Sequence, residues 1–137
     1  MAEIPDRLCD DEANGRMPSA GTYKLYFTAQ QPATFFGLGV CNGPGHPPGG
    51  GPGVGADAHV SVFLIGTVES AAAAWTDGQD PPPYTRIVDH QLIEADNGAG
   101  NVWEMPVVVL RNGERIAVWT DLYGVTFNGH GIAQSTL

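Results

Sequence analysis

Four histidines, His46, His59, His90 and His130, are the side chains of this 137-residue sequence best suited to metal or acid–base chemistry. Two of them sit beside an acid. "DAH" places Asp57 two residues before His59, and "DH" joins Asp89 to His90. A neighbouring carboxylate is what orients an imidazole as a metal ligand or a proton carrier. No histidine pair has His-x-His spacing or the i, i+4 spacing that would put both on one helix face. A cupin-type metal site would take two histidines and a glutamate from neighbouring strands, and His59, His90 and Glu94 come nearest to that set. The plainer expectation is histidines hydrogen-bonded at strand ends, with no metal and no cofactor.

Nucleophilic and sugar chemistry have less to work with. The serines in "ESA" and "QST" lack a Gly-x-Ser-x-Gly elbow, and nothing near Cys9 or Cys41 would activate a thiol. Asp89 and Glu94 are an odd number of residues apart, so on one strand they face opposite sides and form no pair for glycoside cleavage. No catalytic residue is expected. Trp75, Trp103, Trp119 and Tyr84 read first as core and interface aromatics. A carbohydrate-binding module is the alternative, with Trp103 and Trp119 near one sheet beside Asn101 and Asp121.

The totals narrow the partners. Fifteen acids against six bases give a formal charge of −9, and Lys24 is the single lysine. Nucleic-acid phosphates and anionic lipid both demand local Lys/Arg density, so neither is an expected partner. Two cysteines do not make a disulfide scaffold and read as reduced thiols. The first twenty residues have neither the basic start nor the apolar run of a signal peptide, and no apolar stretch approaches the ~18 residues of a membrane span. The expectation is a protein made in the host cytoplasm and not exported by a cleaved signal.

Elements that could position these residues are short. Hydrophobic residues make up 42%, enough for one packed domain, and 19 glycines with 11 prolines favour turns over long helices. Strand patterns run over Thr22–Thr28, where Tyr23, Leu25 and Phe27 alternate with Lys24, Tyr26 and Thr28, and over Ala33–Cys41, Ala58–Val68, Tyr84–Ala95, Asn101–Leu110, Arg115–Leu122 and Val125–Leu137. Ala58–Val68 is apolar on both faces and so reads as a central strand. One helical turn or two is expected near Ala71–Trp75. "VVVLRNGERIAV" predicts a hairpin about Asn112-Gly113, with Val107, Val109, Ile116 and Val118 on a core face and an Arg111/Glu114 charge pair at the turn. Pro106 cannot donate to a ladder, so the strand begins, runs at an edge or bulges there.

Two segments lie outside this pattern. "NGPGHPPGGGPGVG" (Asn42–Gly55) joins two strands of one domain and lacks the Gly-Lys-Ser/Thr ending of a P-loop. It reads as a contact loop, with Pro47 and Pro48 at an interface. Residues 1–20 read as an extended arm with too few apolar side chains to fold alone. Ile4 and Leu8 would anchor it in a partner's surface while Asp10 and Asp11 meet basic groups there. The organisation expected is therefore an arm over 1–20 and an all-β domain over 21–137, a single antiparallel β-sandwich.

The tail "MPVVVLRNGERIAVWTDLYGVTFNGHGIAQSTL" resembles the closing strands of trimeric jelly rolls, including tumour-necrosis-factor-like and complement-type heads. An apolar run, a turn with Leu, Gly and an acid, and a second β run precede a final strand there, with Glu114 where those families often carry aspartate. The chain is similar in the same respects to small β-sandwich virion proteins of tailed phages, such as capsid decoration and tail accessory proteins. The resemblance implies a jelly-roll-like fold and a non-enzymatic structural role in a virion. It also implies a homo-oligomer, a trimer in the nearest pattern, docked on a major capsid or tail protein.

Overall fold

The computed structural model describes residues 6–12, 14–42, 57–66, 75–94, 101–105 and 107–133. Among the described residues, nine strands form two antiparallel sheets packed face to face as a β-sandwich. They are β1 (Asp6–Arg7), β2 (Lys24–Thr28), β3 (Ala33–Asn42), β4 (Ala58–Ile65), β5 (Arg86–Ile93), β6 (Asn101–Met105), β7 (Val108–Leu110), β8 (Arg115–Thr120) and β9 (Val125–Ala133). Sheet I has the order β1-β9-β3-β6, with β7 pairing β3 alongside β6, and sheet II has the order β2-β8-β4-β5. Each of the seven strand-forming stretches read from the sequence holds a strand. Asn101–Leu110 holds two, β6 and β7, either side of Pro106.

Alternation fills the space between the sheets. Leu38, Val40, Val125 and Phe127 from sheet I meet Val60, Val62, Ile116 and Val118 from sheet II in one buried cluster. Strand β4 sits between β8 and β5 and is covered on both sides, as its apolar run predicts. Ala58, Val60 and Val62 point into the sandwich, while Phe63 and Ile65 join a second buried cluster with Trp75 and Ala117. That second cluster lies on the outer face of sheet II, roofed by the chain around Trp75. Asp77 holds the roof down: its carboxylate accepts the Leu25 N–H at 2.7 Å and the Lys24 ammonium at 2.8 Å. Desolvation is the largest single influence and opposes ionisation, but the Lys24 and Leu25 bonds with the Lys24 charge together outweigh it, so Asp77 stays ionised to lower pH than an ordinary aspartate.

Three sequence expectations change. Asn112-Gly113 does make a tight turn, with the Glu114 N–H donating to the Arg111 carbonyl at 3.0 Å. It does not make a hairpin. Strand β7 pairs β3 in sheet I and β8 pairs β2 and β4 in sheet II, so the turn is a corner between sheets. A hairpin of type I′ needs positive φ at both central residues, and only Gly113 has it, at 86°. With positive φ at the second position alone, the turn splays its strands. Leu110 is then the inward residue, while Val107 and Val109 face solvent. The Glu114 carboxylate accepts the Arg111 backbone N–H at 2.6 Å, capping the turn in place of the expected charge pair.

The second change concerns strand β2. Its register slips between Leu25 and Phe27, a bulge that turns Tyr26 and Phe27 toward the main core together and breaks the simple alternation. The third concerns the arm expected over residues 1–20. Residues 6–20 lie along their own sandwich. Strand β1 pairs β9, with Asp6 opposite Gly131 and Arg7 opposite His130. The Leu8 N–H donates to Gly129, Asp10 N–H to Tyr26, and Phe127 N–H to the Arg16 carbonyl. Leu8 is buried in this chain's main core, so its apolar anchor is already used. Ile4, Pro47, Pro48, all of 43–55 and the helical expectation over 71–74 lie outside the described residues; Trp75 is buried.

Candidate functional site

The histidines are placed by the sheets' outer faces. His59, on β4, has its Nδ1 2.9 Å from Asp121 Oδ2, and its backbone N–H donates to the other Asp121 oxygen at 2.8 Å. Asp57, which the sequence offered as its acid, is not the partner seen in that pair. His90 is bonded to its neighbour Asp89 at 2.7 Å, as "DH" suggests. A slip in the β4–β5 register puts His90 at φ 49°, and its N–H donates to the Ser61 hydroxyl at 3.0 Å. Its ring packs 5.1 Å from Trp119. Asp89 is held below the usual carboxylate range, first by the His90 bond and then, against slight desolvation, by Arg86.

These pairs do not converge. Glu94 is exposed beyond the end of β5, where its carbonyl accepts the Asn42 side-chain amide at 3.1 Å. No group of three His, Cys, Asp or Glu side chains among the described residues is arranged to hold a metal. The tryptophans part as well. Trp103 is on β6 in sheet I and packs on the main core, while Trp119 is on β8 in sheet II against Tyr23 and His90. They share no platform.

What sheet I gathers instead is an apolar strip that is exposed among the described residues. Thr34 on β3 is paired with Val109 on one side and Ile132 on the other, so all three side chains leave the same face. Carried two steps further, that register sets Val107 beside Phe36 on the same face. Val107 and Val109 are 59% and 65% exposed, and Phe36 is 42% exposed, with the His130 ring in T-shaped contact at 6.4 Å between centroids. Glycine shapes the rest of the face. A side chain at Gly37 would collide with the Glu104 carboxylate, which lies across it, and one at Gly131 would strike the Thr34 carbonyl.

The sequence missed this strip because all four residues of Val107–Leu110 are apolar, so parity cannot be read from them; only the sheet each strand joins decides it. Of the interface residues expected from the sequence, Leu8 is in the core. The Asp10 carboxylate accepts the Thr28 N–H at 2.7 Å, and the Asp11 carboxylate accepts the Asn14 N–H at 3.0 Å and lies 3.9 Å from Lys24. Both aspartates are engaged within the chain.

No protein-family model, curated protein or solved structure matches this chain.

Proposed function

We propose that this chain is a non-enzymatic structural protein of a large assembly, of the kind that decorates and cements phage capsids or serves as a tail accessory. It would act in the virion as a homo-oligomer, a trimer, joined to a capsid or tail protein through the outer face of sheet I. The observation that carries this reading is the strip of Phe36, Val107, Val109 and Ile132 on a sheet face that no other part of the described chain covers. Contiguous apolar area of this kind marks contact surfaces on soluble proteins.

The strand order supports a jelly roll within the sandwich. Pairings are nested: β4 with β5, β3 with β6 and β7, β2 with β8, β1 with β9. A long antiparallel ribbon with β4 and β5 at its tip, rolled up, makes those pairs first. Rolling then brings β9 against β3 and β8 against β4, the two remaining pairings. Jelly rolls serve in viral capsids, lectins and cupins alike, so the fold does not choose among them. A cupin metal would sit between the sheets, where the side chains described are predominantly apolar and His59, His90 and His130 are not among them. A lectin platform would need Trp103 and Trp119 together.

Val109→Asp combined with Phe36→Ser tests the reading. Both positions are exposed, so the variant should melt as cooperatively as the parent. Sedimentation of the purified protein should show loss of the oligomer, and purified particles should lack the variant. Incorporation equal to that of the parent chain would overturn the assignment of this face.

A further inference from the structure

A cavity of about 170 Å³ lies where the entering chain crosses β9, with Arg7, Glu12, Arg16, Tyr26, Asn128 and His130 in its wall. Two of the chain's six basic side chains meet here, in a molecule of formal charge −9. The fold brings them together in a definite way. Arg7 and His130 are opposite one another in the β1–β9 ladder, so both side chains leave the same face. Arg16 arrives from the turn before β2, fixed by its carbonyl's 2.6 Å bond from Phe127. Its guanidinium donates to the Asn128 side-chain oxygen and lies 3.5 Å from Glu12.

The wall is supported from beneath. The Tyr26 hydroxyl accepts the Gly129 N–H at 2.7 Å, and burial raises the Tyr26 pKa well beyond its ordinary value, so the phenol is neutral. Arg7 has no carboxylate within ion-pair range among the described residues. Among the described residues, no ion pair occupies its forked donors. The space equals about five waters at liquid density, more than a lone ion needs and enough for a small organic acid group.

We propose that this cavity is a binding site for a carboxylate. Guanidinium groups present paired N–H donors that match two carboxylate oxygens, and Arg7 and Arg16 approach from two sides. The Asn128 side-chain amide and a ring N–H of His130 add further donors. Glu12 sets the charge: two arginines less one carboxylate leave a single positive charge, which one carboxylate balances. A phosphate dianion would meet the Glu12 carboxylate with its second charge. The site does not depend on the docking reading, because it lies within one copy of the chain.

The test is a titration of the full chain, followed by amide and arginine side-chain NMR, with acetate, succinate and inorganic phosphate in turn. Saturable shifts at Asn128, Gly129 and the Arg7 and Arg16 side chains are expected with the carboxylates, more weakly with phosphate. Arg7→Gln, at an exposed position with no ion pair among the described residues to lose, should keep the parent's melting and weaken acetate about ten-fold, the worth of one charge-assisted contact. Glu12→Gln should improve phosphate several-fold more than acetate.

A blocked peptide carrying one aspartate between apolar residues separates the sources of the carboxylate. Binding ten-fold tighter than acetate assigns the site to an acidic side chain of a partner, and comparable binding assigns it to small acids; both support the pocket. Absence of a saturable response, an equal response in Arg7→Gln, or a preference of the parent chain for phosphate would each overturn it.

Discussion

On the outer face of sheet II, Phe63, Ile65 and Ala117 lie beneath Trp75, with Arg115 stacked 5.6 Å over the indole and Arg86 5.5 Å over the Phe63 ring. On the outer face of sheet I, Phe36, Val107 and Val109 meet solvent. Both faces are apolar, and the difference lies in the connections. The stretch around Trp75, between β4 and β5, lies across sheet II, and Arg115 donates to the Trp75 and Gly66 carbonyls to fasten it. The connection between β7 and β8 is a four-residue corner and covers nothing. A face finished by its own chain serves stability; an equally apolar face left open is available for binding.

Removing the roof of sheet II should produce the largest effect. Trp75→Ala or Phe63→Ala leaves a buried aromatic's space empty and should cost about 3–5 kcal/mol. Urea unfolding of the monomer would measure it. A loss under about 1 kcal/mol would mean that the two faces are not different in kind.

The arm gives the next largest. Leu8→Ala should cost about 2–4 kcal/mol if residues 6–20 belong to the sandwich, and deleting residues 1–20 should lower the melting temperature. A truncated chain that melts like the parent would restore the picture of an arm that orders only on a partner.

That contrast also marks what the sequence could reveal. Strand positions were legible because alternation and turn residues are local signals: β4 even announced its two covered faces. The contacts of residues 6–20 with their own sandwich were not legible, because few apolar residues mark them. Their stability comes from backbone bonds to Tyr26, Phe127 and Gly129, distant in sequence and invisible to local reading. The corner at Asn112-Gly113 was misread for a related reason. Its dipeptide permits two turn types, and the choice between hairpin and corner is made by which sheet has an open edge. For the site, the two His–acid pairs were half legible: Asp89–His90 is adjacent in sequence, whereas Asp121 reaches His59 only through the β4–β8 pairing.

A moderate effect is expected where the roof is pinned. Asp77→Asn keeps an acceptor for the Leu25 N–H but loses the ammonium's charge partner, and should cost about 1 kcal/mol at neutral pH. The folded-state pKa of Asp77 is depressed, so its contribution is present above the unfolded value of about 3.9 and is lost as pH falls from there through the folded value. Stability of the parent should therefore decline more steeply than that of Asp77→Asn below about pH 4. Parallel declines would detach Asp77 from the roof.

The smallest effect sharpens the comparison most. Val109→Thr keeps the β-branched shape at a position whose side chain already faces water, and it neither opens a cavity nor buries the new hydroxyl. Its cost in monomer stability should stay within about 0.5 kcal/mol. The same change at Val62, buried at the centre of β4, places an unpaired hydroxyl in the core and should cost about 1–3 kcal/mol. Measured side by side by urea unfolding at concentrations where the protein is monomeric, the pair separates an open face from a filled one using a single chemical change. If Val109→Thr costs as much as Val62→Thr, then Val109 is buried in the solution monomer, and the bare strip on sheet I does not exist there.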